Sequence, residues 1–167
     1  MKILLIMPYN SDLIHAVSLP LGLISIATNL KQNGYDVKIC DMSVSHVKIE
    51  KVFDNYMPDV IGISLMSVKH LNGAMYVSKK LHKKGVPIIW GGPFCDIAET
   101  NIILNYKYVN CISFCEGEET WIDIVQSLEK GEGFDNIKGI AFRNTEGEII
   151  VNPERKFVDL TALPMLD

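Results

Sequence analysis

Ser64, the Gly91-Gly92 pair and the Glu116-Gly117-Glu118 run are the residues whose types and spacing suggest chemistry, since each follows a short apolar run that reads as a buried strand. A serine hydroxyl at a strand end can donate to a ligand, and two glycines remove side chains where a bulky group would lie against a sheet. The carboxylates of Glu116 and Glu118 fall where a helix begins and are favoured there by its dipole. These residues equally suit bland roles, with Ser64 capping a helix and the glycines making a turn. His15 falls in the long first loop, whereas His46, His70 and His82 fall on expected helices, where a histidine is usually solvated or satisfied. Trp90 and Phe94 flank the double glycine and either wall a flat ring or pack in the core.

Several chemistries are excluded by what is missing. The loop after the first strand carries neither a G-x-G-x-x-G fingerprint nor a G-x-x-x-x-G-K-[ST] phosphate loop, so the usual dinucleotide and ATP modes fall away. A phosphoacceptor site would need clustered carboxylates, and Asp12 and Asp41 are the only ones near the relevant strand ends. Cys40, Cys95, Cys111 and Cys115 lack paired C-x-x-C spacing, so free thiols are expected in preference to disulfides, zinc or an iron–sulfur cluster. The net charge is −4 with Lys and Arg scattered, which gives no electrostatic footprint for nucleic acid. The opening MKILLIMPY is too short an apolar run for a signal core or a membrane span, and a cytoplasmic location without membrane attachment is expected.

The elements that must position these residues follow from alternating periods. Short Ile- and Val-rich runs alternate with helical segments, which is the signature of βαβ units, and 48% hydrophobic content over 167 residues supports one well-filled core. Strands are expected at Lys2–Met7, Asp36–Cys40, Val60–Leu65, Val86–Trp90 and Cys111–Phe114. Helices are expected near 20–32, 45–56, 68–84, 97–104 and 118–129. The resulting fold class is α/β: a doubly wound, five-stranded parallel sheet in order 2-1-3-4-5, Rossmann-like or flavodoxin-like, spanning 1–133. A β-hairpin appendage, Lys138–Arg143 and Glu148–Val151 around Asn144-Thr145-Glu146-Gly147, is expected over 134–151. The Pro-containing stretch 152–167 reads as a linker that is extended or leans on its neighbours.

In order, Pro20-Leu21-Gly22-Leu23, Gly34-Tyr35-Asp36-Val37, Pro58-Asp59-Val60-Ile61-Gly62-Ile63-Ser64, Trp90-Gly91-Gly92-Pro93 and Glu116-Gly117-Glu118 resemble one family. It is the N-terminal cobalamin-binding domain of cobalamin-dependent radical S-adenosylmethionine enzymes. The likeness continues through Ile137-Lys138-Gly139-Ile140 to Leu163-Pro164. It implies a cobalamin (vitamin B12) cofactor contacted by Pro20, Gly22, Ser64, Leu65, Met66, Gly91, Gly92, Pro93, Glu116, Gly117 and Glu118, with the nucleotide tail in a slot at Ser64, Gly91 and Gly92. It also implies a covalently linked radical S-adenosylmethionine barrel downstream, carrying the 4Fe-4S cluster and S-adenosylmethionine, since C-x-x-x-C-x-x-C is not found in this chain. The parent enzyme would be a methyltransferase or a related carbon–carbon bond-forming enzyme, with no catalytic residue in this part.

Four residues depart from the pattern. Val17 and Leu19 stand where methionine-synthase-like domains have the Asp and His of D-x-H-x-x-G, whose Gly is matched by Gly22, Phe94 stands where a histidine is common, and Cys115 replaces a glycine. His15 is then the remaining candidate as a cobalt ligand. The missing ligand motif also suits a cofactor-free structural or substrate-presenting module.

Overall fold

The computed structural model describes residues 1–9, 19–44, 47–98, 100–159 and 161–165. His15, with Asp12 and Val17, lies outside the described residues. The chain runs β1 (Lys2–Met7), α1 (Leu21–Gln32), β2 (Asp36–Asp41), α2 (Ile49–Tyr56), β3 (Val60–Ser64), α3 (Leu71–Leu81), β4 (Ile88–Gly91), α4 (Pro93–Ile97), α5 (Thr100–Leu104), β5 (Cys111–Ser113), α6 (Gly117–Lys130), β6 (Ile140–Arg143) and β7 (Ile149–Val151).

The sheet order is β2-β1-β3-β4-β5-β6-β7. The first five strands are parallel in the expected 2-1-3-4-5 order, and β6 and β7 add antiparallel pairs. Period-two alternation puts side chains on both faces, which is why the strands read as nearly unbroken apolar runs. Leu4 and Ile6 join Ile61, Ile63 and Trp90 beneath α2 and α3, whereas Ile3 and Leu5 join Leu23, Ala27 and Leu30 of α1 and Trp121 and Ile124 of α6. Each such side chain, fully buried, contributes about 1.5–3 kcal/mol of transfer free energy.

The hairpin packs at one edge of the sheet. β6 pairs directly with β5, Cys111 opposite Phe142 and Ser113 opposite Ile140, and so continues the sheet to seven strands. An edge strand leaves a row of unpaired backbone groups, and β6 covers that of β5. The stretch expected as one helix over 97–104 forms two short helices, the first starting at Pro93, whose fixed φ suits a first helical position. The long helix expected over 68–84 is bounded by 3-10 turns at Val68–His70 and His82–Lys84. β4 starts two residues later than expected, at Ile88, although the Pro87 carbonyl already accepts from Ile61 N–H at 3.0 Å.

The segment after β7 has no element of its own but is fastened down. Asn152 Nδ2 donates to the Phe134 and Ile137 carbonyls, both at 2.7 Å. Arg155 donates to Thr120 Oγ1 and Glu119 at 3.1 Å each and pairs with Asp123, so the strap lies along α6. Val158 N–H donates to the Glu116 carboxylate.

Candidate functional site

β3, β4 and β5 end on Ser64, Gly91 and Ser113, which form a row across three neighbouring strands. Ser64 is the register partner of Gly91, and a Cβ placed on Gly91 would meet the Ser113 carbonyl at 3.4 Å and its Cβ at 3.7 Å. Neither serine hydroxyl makes a hydrogen bond within the described residues, although Ser113 is only 3% exposed. Hydroxyls so placed at carboxyl-terminal strand ends are available to a ligand.

The row opens into a cleft of about 220 Å³ between α1 and α6. Leu5 and Gly62 make its floor, Leu23 and Ile26 one wall, and Trp121 and Gly117 the other. Of the residues singled out from the sequence, Gly22, Ser64, Met66, Gly91, Gly92, Pro93, Glu116, Gly117 and Glu118 all line it. Leu65 and Pro20 do not. Leu65 is fully buried and stitches two loops, its N–H donating to the Gly91 carbonyl at 2.7 Å and its carbonyl accepting from Phe94 N–H at 3.0 Å. Pro20 sits just before α1, whose first turn brings Gly22 and Leu23 to the cleft.

Two glycines are required by close approach. Gly92 has φ +97°, and a Cβ there would lie 2.9 Å from the Leu65 carbonyl oxygen, so this residue serves the loop geometry before it serves a ligand. At Gly62 a Cβ would lie 2.5 Å from Trp121 Cζ2 and 2.8 Å from a Leu5 methyl, because the indole rests directly on the strand backbone. A glycine inside a buried strand signals such an approach. Gly91 differs from both, with no strained φ and room at its Cβ.

The acidic run is already engaged. Glu118 Oε1 accepts from Ser25 Oγ at 2.7 Å, and its carbonyl accepts from Asn29 Nδ2 at 2.9 Å, which fixes α1 against α6 beside the cleft. Glu116 holds the strap through Val158. Cys115 adopts φ +60°, which explains physically why a glycine suits that position, and its N–H donates to Asp96 Oδ1 at 2.6 Å. Burial, then the neighbouring Asp96, Glu154 and Glu116 charges, push the Cys115 thiol above its ordinary value, so it is poorly disposed to act as a thiolate nucleophile. Burial also raises the Asp96 carboxyl, an effect the Cys115 N–H opposes. All four cysteines are free. Among the described residues no group of three His, Cys, Asp or Glu side chains is placed to hold a metal ion, and no helix is long and apolar enough to cross a membrane.

Trp90 and Phe94 do not wall the cleft. Trp90 is 1% exposed and packs beneath α3, where its Nε1 donates to Ser78 Oγ at 2.9 Å, and Phe94 packs against the same core. The aromatic wall is Trp121, which the sequence reading did not single out, and the second hydroxyl is Ser113. Gly62 inside its strand was the available signal for the first, and a serine ending β5 as Ser64 ends β3 for the second.

The profile of the B12 binding domain matches residues 14–125. Among curated proteins, the chain is 27% identical to an uncharacterized methyltransferase of Pyrococcus horikoshii, covering 100% of this chain and 38% of that protein. It is 26% identical to the cytidylyl-2-hydroxyethylphosphonate methyltransferase of Streptomyces wedmorensis, covering 92% of this chain and 33% of that protein. Among solved structures, the radical S-adenosylmethionine methyltransferase TsrM of Kitasatospora setae, with cobalamin and a [4Fe-4S] cluster bound, superimposes with a TM-score of 0.76 at 15% identity over 98% of this chain and 30% of that one. The cobalamin-dependent S-adenosylmethionine radical enzyme OxsB with aqua-cobalamin bound gives a TM-score of 0.77 at 21% identity over 93% of this chain and 22% of that one. The chain thus spans well under half the length of each of these four proteins.

Proposed function

Because this chain belongs to the B12-binding domain family, we propose that its cleft holds cobalamin, with the nucleotide tail against Ser64, Gly91 and Ser113. The observation that carries this reading is the cleft itself, whose glycine-lined floor and unpartnered strand-end hydroxyls lie outside the carboxyl ends of a parallel sheet, where such folds bind ligands. When bound, cobalamin supplies a cobalt centre able to accept and donate methyl groups. The chain's own residues bind and orient. Ser64 and Ser113 offer hydrogen bonds, Leu5, Leu23 and Ile26 give an apolar lining that sheds water, and Glu118 locks α1 to α6 so that the walls keep their separation. No described histidine lines the cleft, so in this reading no described imidazole would be offered to cobalt, and Ser64, Gly91 and Ser113 would hold the base of the tail in the cleft.

The parent protein is, in this reading, a cobalamin-dependent radical S-adenosylmethionine methyltransferase or carbon–carbon bond-forming relative. Its iron–sulfur cluster and S-adenosylmethionine would belong to a following barrel joined through the strap over 152–167, it would be cytoplasmic, and neither nucleic acid nor a membrane would be a partner. Incubation with hydroxocobalamin followed by desalting tests the binding directly. Retention of the corrin absorption bands at one cofactor per chain is the expected result. A colourless chain would overturn the reading and leave the cofactor-free module.

A further inference from the structure

The chain has two tryptophans, and Trp90 shows what a structural one does here: its N–H is satisfied by Ser78. Trp121 is 4% exposed, yet its indole N–H makes no hydrogen bond within the described residues. No fully buried side-chain nitrogen or oxygen among those residues lacks a partner, so this N–H is not sealed in protein and must face open space. Ring atoms on the edge that carries Nε1, Cδ1 next to it and Cζ2 two bonds away, locate that space. Cζ2 lies over Gly62, where a Cβ would come within 2.5 Å, and Cδ1 lies beside Gly117, where a Cβ would come within 3.4 Å. Both glycines line the cleft, so the edge of the ring that carries N–H borders it.

Resting on the reading of the cleft as a cobalamin site, we infer that Trp121 reads the base of the nucleotide tail, its indole N–H donating to a ring nitrogen of a heterocyclic base. A nearly buried donor without a partner is costly in an apolar surround, and a ligand that supplies an acceptor removes that cost, whereas one lacking the acceptor leaves it in place. A benzimidazole displaced from cobalt exposes the nitrogen lone pair that had held the metal. A phenolic base has the same kind of tail but no ring nitrogen. The chain therefore selects corrinoids by the chemistry of the lower base, and Trp121 is the specificity-determining residue.

The test compares dissociation constants of the parent chain and Trp121→Phe for cobalamin, for p-cresolylcobamide, whose base has no ring nitrogen, and for cobinamide, which has no tail. Trp121→Phe is expected to weaken cobalamin about 3- to 10-fold, the size of one hydrogen bond, and to change the other two by less than about 2-fold. Equal weakening of all three, or no weakening of cobalamin, would overturn the inference. Should the phenylalanine not fold, benzothienylalanine at position 121 keeps the bicyclic shape, lacks the N–H, and carries the same expectation. If the parent chain retains none of the three, the cobalamin reading itself falls and takes the inference with it.

Discussion

Trp90 of β4 and Trp121 of α6 are both almost fully buried on opposite faces of the same sheet, and what separates them chemically is whether the indole N–H has a partner. Trp90 is finished by the protein, packed under α3 with Ser78 as acceptor. Trp121 is left open to a cleft whose strand-end serines are also unpartnered. Burial alone says nothing of function; the informative quantity is which buried polar groups the fold leaves for something else to satisfy.

The most severe way to break the contrast is to deny Trp121 its seat. Gly62→Ala places a methyl 2.5 Å from Trp121 Cζ2, so overpacking should destabilise the fold by about 1–3 kcal/mol in chemical denaturation and weaken cobalamin retention as well. Unchanged stability would mean that the indole does not rest on β3. Next in size is Trp90→Phe, which strands the Ser78 hydroxyl in the core. It should cost about 1–3 kcal/mol in the same assay while leaving cobalamin affinity within about 2-fold, and a larger loss of affinity would erase the distinction between the two faces. Smaller again are Ser64→Ala and Ser113→Ala. Each should weaken cobalamin by about 0.5–1.5 kcal/mol with the melting temperature unmoved, because neither hydroxyl has a protein partner to lose.

The smallest effect is a pH dependence on the Trp90 side. Burial holds His70 below its ordinary value of 6.5, opposed in part by a hydrogen bond with the Ser67 backbone. The neutral ring is the form the fold favours, so its contribution is present above the unfolded value and is lost as pH falls through the folded one. Stability should decline below pH 6.5, and less so in His70→Gln, as read from denaturation midpoints across that range. An identical decline in the variant would assign the effect to other groups.

Much of this was legible from local pattern. Apolar runs marked the parallel strands and their order, and the residues just past them, Ser64, Gly91, Gly92 and Glu116 to Glu118, proved to share one cleft. What escaped were long-range matters. Trp121 reaches the floor only because α6 crosses beside α1 and Gly62 leaves room, and no spacing within α6 reveals that. The alternating pattern of the hairpin does not say which edge it joins, and only the pairing of β6 with β5 decides it. The strap depends on Arg155, Asn152 and Val158 finding partners on α6, on the segment after it and at Glu116. Of the paired glycines, Gly92 has a φ of +97° and a close contact with Leu65, so Gly91→Leu is the cleaner block of the cleft, its Cβ meeting only ordinary contacts at Ser113.

In the proposed reading the base of the cofactor would lie off cobalt in the cleft beside Trp121, with no histidine taking its place; Leu19, 73% exposed, stands where a ligand histidine would be expected. Electron paramagnetic resonance of the chain loaded with cob(II)alamin reads this from the metal itself, because an axial nitrogen splits each cobalt line into a triplet. Unsplit lines, unchanged in His15→Ala, are the predicted result. Triplet splitting would contradict the account, assigning the nitrogen to His15 if the splitting vanishes in His15→Ala and to the cofactor's own base, still on cobalt, if it persists.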